Sequence, residues 1–100
     1  MPKIEISLAE IPFDSLFRVE GSGASLVLVR KNDSITAFQD RCPHAHWPLS
    51  EGELKNGILS CVGHGWEFDV VTGNCLTVPG CSLRLLPVVI DQGRVRVEWE

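Results

Sequence analysis

Two residue pairs in the middle of the chain carry metal-binding chemistry: Cys42 and His44 in Cys42-Pro43-His44, and Cys61 and His64 in Cys61-Val62-Gly63-His64. Sixteen residues separate the pairs, a spacer long enough for two separate loops to converge on one centre. Two soft thiolates and two borderline imidazoles suit either a tetrahedral zinc ion or a [2Fe–2S] cluster with Cys on one iron and His on the other. Structural zinc sites usually open on a C-x-x-C knuckle. Here each half supplies one Cys and one His, a symmetry that fits a two-iron centre. Gly63 and Gly65 bracket His64, while Pro43 and Pro48 stiffen the first loop, so both loops read as tightly folded about something.

The run from residue 42 to 75, CPHAHWPLSEGELKNGILSCVGHGWEFDVVTGNC, resembles the Rieske-type [2Fe–2S] proteins. The likeness lies in the ligand spacing, the glycines after Ser50 and Asn56, and the HGWEFD-x-x-TG run. It implies an all-β domain, an antiparallel sandwich or barrel base with an inserted cluster-binding subdomain. The base takes residues 1–39 and 80–100, and the subdomain 40–79. It also implies that Cys42 and Cys61 bind the inner iron and His44 and His64 the outer one. Respiratory and photosynthetic members carry C-T-H-x-G-C and C-P-C-H-G-S, with a disulfide across the loops and a serine donor to the cluster. Trp47, Gly63 and Trp66 stand at those positions here, and Phe68 offers no phenol hydroxyl. With fewer donors stabilising the reduced form, the expected potential is nearer about −150 mV than about +300 mV.

Formal charge makes this ligand set easier to reduce than a four-thiolate one. Two ferric ions, two sulfides and two thiolates cancel to zero, whereas four thiolates give a dianion. Metal-bound His44 and His64 would each keep one ring N–H outward, an electron exit that is also a titratable site. The resemblance to soluble components of bacterial oxygenase systems implies a one-electron carrier rather than an enzyme. A flavoprotein NAD(P)H reductase would stand upstream. The terminal oxygenase downstream would be an aromatic-ring-hydroxylating dioxygenase or a diiron hydrocarbon monooxygenase, and CPHAHWPL with HGWEF leans toward the latter. Docking would centre on His44, His64 and Trp47. Other readings are the small subunit of an assimilatory nitrite reductase, a zinc-binding interaction module and a redox sensor.

One hundred residues suit one domain with a single core, and no nucleophile–base constellation accompanies the metal ligands. The net charge of −4 argues against nucleic acid and anionic membranes as partners. MPKIEISLAE places acids where a signal peptide needs an apolar core, and no apolar run approaches a membrane span, so the expected address is cytoplasmic and the expected state a monomer. The Met1 start suggests a whole protein.

The elements that must position the ligands are strands. Residues 3 to 7 alternate, with Ile4 and Ile6 on one face; Leu8 to Asp14 connects; Phe17 and Val19 alternate with Arg18 and Glu20. Leu26-Val27-Leu28-Val29 is apolar on both faces, the mark of a central strand, and Asn32-Asp33 turns the chain into Ser34 to Gln39. From Asp40 to Pro79, punctuated by Gly52, Gly57 and Gly73, short strands are expected near Ile58 to Cys61 and Trp66 to Val70. Leu83 to Ile90 reads as one strand, Asp91-Gln92-Gly93 as a turn, and Arg94 to Glu100 as a last strand with Val95, Val97 and Trp99 inward.

The remaining notable residues have plainer readings. His46 is read as a surface histidine rather than a ligand, and Cys75 and Cys81 as small buried thiols. Trp66 is read as packing inside the subdomain, whereas Trp47 is divided between packing and an apolar collar. Glu51, Glu53, Glu67 and Asp69 form a solvated acidic face, with steering of basic partners as the alternative.

Overall fold

The computed structural model describes residues 3–21, 23–32, 34–42, 47–61, 65–77, 80 and 82–99. The proposed ligands His44 and His64 lie outside the described residues, as do His46, Cys81 and Asp33. Strands dominate, as the alternation predicts, and they form three antiparallel sheets among the described residues. The helical elements among the described residues are two 3-10 turns, Leu8–Glu10 and Leu49–Glu51.

The first sheet holds β1 (Lys3–Ser7), β10 (Arg94–Glu98) and β9 (Val88–Asp91). The second holds β2 (Phe17–Gly21), β3 (Ala24–Lys31), β4 (Ser34–Gln39) and β8 (Leu85–Leu86), in that order. The third is a small sheet of β5 (Glu53–Lys55), β6 (Ile58–Ser60) and β7 (Glu67–Asp69). Lys31 pairs with Ser34, and Asn32, which follows Lys31, has φ 55°.

The middle sheet is a wall shared by two cores. Successive strand residues point to opposite faces, and β3 uses both. Leu26 and Leu28, with Ala37 and Leu86, face a core that contains Val95, Val97, Trp99 and Ile11. Val27 and Val29, with Phe38, face a second core that contains Leu49, Leu59, Phe68, Val70 and the two cysteines Cys42 and Cys61. This is why residues 26–29 are apolar without alternation. In the small sheet, Leu54, Leu59 and Phe68 are direct cross-strand neighbours and pack in or against the second core.

The structure departs from the sequence reading in two elements. The stretch expected as one strand over 83–90 is two, because Pro87 lacks the N–H a continuing ladder needs. β8 stays on β4 in the middle sheet, and after Pro87 the chain enters the first sheet beside β10. The unexpected element is β5. Asn56 and Gly57 have φ 52° and 78°, a two-residue hairpin turn that pairs Lys55 with Ile58 and adds a strand ahead of β6.

Candidate metal centre

Each cysteine of the two pairs opens a six-residue loop that ends on a tryptophan, Cys42 to Trp47 and Cys61 to Trp66. The loops close in the same way. The Cys42 N–H donates to the Trp47 carbonyl at 2.8 Å, and the Cys61 N–H donates to the Trp66 carbonyl at 2.8 Å. In the second loop the Gly65 N–H also returns to the Cys61 carbonyl at 3.0 Å. Two loops of equal length and equal closure, each led by a cysteine, are the local product of equal spacing in sequence.

Both cysteines sit at the buried end of their loops, at 0% and 3% exposure, within one apolar core with Leu49, Leu59 and Phe68. Cys61 follows β6 directly, and Cys42 follows β4 after Asp40 and Arg41, so strands of two different sheets place them. The structure thus brings Cys42 and Cys61 together in one core. The chemistry of the donor set fits an iron–sulfur centre: two buried thiols share the core, and the sequence offers two imidazoles in the same two loops.

The two tryptophans differ. Trp66 is partly buried and packs against the second core, as expected of it, whereas Trp47 is 49% exposed beside the first loop. Of the acidic residues, Glu51, Glu53 and Glu67 are exposed, in keeping with a solvated face. Asp69 is the exception. Its Oδ1 accepts the backbone N–H groups of Val71 and Thr72 at 2.8 and 3.3 Å, so it shapes the turn after β7. Cys75 is half-buried and packs against the second core.

Sequence reasoning missed Asp40, Ser50 and Arg18, which meet beneath the first loop. An aspartate before a cysteine loop and an arginine in an exposed strand position are ordinary residues in ordinary places, and no local spacing pairs them. It also missed how closely Gly52 approaches β6: a Cβ built there would lie 2.1 Å from the Ser60 carbonyl oxygen.

Residues 4–88 match the family model of the Rieske [2Fe-2S] domain. The chain is 33% identical over 86 residues to the ferredoxin component of biphenyl 2,3-dioxygenase of Rhodococcus jostii (strain RHA1), a match covering 85% of this chain and 80% of that protein. It is 39% identical over 70 residues to the chloroplastic protein TIC 55 of Pisum sativum, covering 69% of this chain but only 12% of that much longer relative. Among solved structures, a complex of reduced oxygenase and oxidized ferredoxin in carbazole 1,9a-dioxygenase contains a chain that superposes with a TM-score of 0.83. That chain is 30% identical, over 95% of this chain and 91% of its own length. Of the two metal centres the donor set admits, these matches select the iron–sulfur one. The chain belongs to the Rieske [2Fe-2S] domain family, with a [2Fe–2S] cluster as its cofactor.

Proposed function

We propose that this protein is a one-electron carrier that takes electrons from an NAD(P)H-dependent flavoprotein reductase and passes them to a terminal oxygenase. Cys42, His44, Cys61 and His64 are the ligands, the cysteines on the inner iron and the histidines on the outer one. The observation that carries this reading is the pair of matched loops, each opened by a buried cysteine and closed by a Cys-to-Trp backbone hydrogen bond. When bound, the cluster supplies a one-electron couple. The chain's own residues do the rest. Leu49, Leu59 and Phe68 keep water from the thiolates, and His44 and His64 would complete the centre from the same two loops.

The ferredoxin of a biphenyl dioxygenase and the oxygenase–ferredoxin complex support an oxygenase as acceptor. A ring-hydroxylating dioxygenase and a diiron monooxygenase both fit. Docking around His44, His64 and Trp47 is part of the proposal, and the exposure of Trp47 supports it. So are a monomeric state, a cytoplasmic address and the division into a base (1–39 and 80–100) and a cluster-binding portion (40–79). No helix among the described residues is long and apolar enough to cross a membrane.

The test is electron paramagnetic resonance of the dithionite-reduced protein, with its iron, zinc and sulfide content and a redox titration. A rhombic signal with average g below that of a four-thiolate cluster and a potential near about −150 mV are expected. A silent sample holding one zinc would sink the proposal.

A further inference from the structure

A buried carboxylate fastens the first loop at its base. Asp40 lies two residues before Cys42, and its side chain is 2% exposed. Its Oδ1 accepts the Ser50 backbone N–H at 2.7 Å, and its Oδ2 accepts the Ser50 hydroxyl at 2.6 Å and the Arg18 Nε–H at 2.9 Å. Arg18 is itself fixed on the middle sheet: Nη2 donates to Ser25 Oγ at 3.1 Å and Nη1 pairs with Glu20 at 2.7 Å. The Asp40 N–H donates to the Ser25 carbonyl at 2.9 Å. The carboxylate is therefore anchored on the base and reaches across to the far end of the loop.

Burying a carboxylate is expensive unless donors satisfy it, and charge-assisted bonds of this length are the strong kind. The neighbouring core is apolar and has no need of a charge for its own packing. What the carboxylate does is close residues 40–50 into a ring, and the Cys42–Trp47 hydrogen bond lies inside that ring. Arg18 is 51% exposed, so its ion pair is screened by solvent and the Ser50 bonds are the stronger part of the clamp.

The geometry points to Asp40 as a positioning residue for the cluster: with Ser50 and Arg18 it holds the first ligand loop closed, and so governs how firmly the cluster is kept and what spectroscopic signature it shows. This rests on the ligand assignment proposed above.

The experiment compares the holoprotein with Asp40→Ala, Ser50→Ala and Ser50→Thr, and with Val97→Ala, which loosens the opposite core, as a stability control. The readouts are iron loss to a chelator in native buffer, the g-values of the reduced cluster and Tm. Asp40→Ala should lose iron about tenfold faster or more, with altered g-values, since residues supporting metal ligands typically carry effects of that order. Ser50→Ala, which keeps its backbone N–H, should move the same way by less, and Ser50→Thr should restore wild-type behaviour. Val97→Ala should lower Tm with wild-type g-values and release rate. Should Asp40→Ala not fold, Ser50→Ala against Ser50→Thr decides. Wild-type g-values in the Asp40 and Ser50 variants, with release no faster than in Val97→Ala, would overturn the clamp while leaving the carrier reading standing. A wild-type protein without a cluster signal would overturn both.

Discussion

Cys42 and Cys61 are buried in a core of Leu49, Leu59 and Phe68, and the proposed histidine ligands follow them in each loop. His44 and His46 lie on the same loop two residues apart, so chain position alone does not separate them. The resemblance does: the C-x-H spacing of the Rieske-type first loop falls on His44, whereas His46 abuts the closing Trp47. His44→Ala should open a coordination position on the outer iron and bleach the protein, and His46→Ala should leave colour and iron content unchanged. Visible absorption and iron analysis check this, and the reverse result would reassign the ligand. At this scale the proposed ligands stand out in the sequence because they are chain neighbours. Asp40 was not, because its partners Ser50 and Arg18 are 10 and 22 residues away.

The loops depend on the elements beneath them, and one such element is the 3-10 turn after the first loop, which lies close against β6. The 3-10 turn Leu49–Glu51 ends at Gly52, whose N–H donates to the Leu49 carbonyl at 3.0 Å. Gly52 has an ordinary φ of −80°, so it is required for closeness and not for conformation. Its α-carbon faces the carbonyl of Ser60, the residue just before Cys61, and a methyl group there would sit 2.1 Å from that oxygen. Gly52→Ala must therefore push the first loop away from the strand that leads into the second. We expect a loss of at least about 1–3 kcal/mol, the usual range for overpacking, together with weaker cluster retention. Denaturant titration of the holoprotein measures it, and a wild-type midpoint would show that β6 can move aside freely. The strands around this contact were mostly legible from alternation. β5 was passed over although Asn56-Gly57 is a hairpin signal, because three residues, two of them charged, show too little periodicity to register. Pro87 was read as part of a strand although its missing N–H marks the place where the chain changes sheets.

Across the whole molecule, one sheet serves two cores. Val27 and Leu28 are neighbours in the chain, yet one packs toward the cysteines and the other toward Val95 and Val97. A wall loaded from both sides couples the two halves, so the domain should unfold in a single transition. Leu28→Ala, on the side away from the loops, should cost about 2–5 kcal/mol. It should shift the denaturant midpoint of the cluster's visible circular dichroism and that of the far-ultraviolet signal together. Separate midpoints, with only the far-ultraviolet one displaced, would mean that the two cores fail independently.

The amino-acid sequence by itself determined the ligand candidates, the all-β class and the doubly apolar central strand, because each is a matter of residue type repeated at short range. Only the tertiary structure decided that Asp40 clamps one cysteine loop through Ser50 and Arg18, and that Gly52 seats it on β6. Those contacts join residues far apart in the chain. Their partners are chosen by which faces of the sheets come together, and no local period encodes that choice.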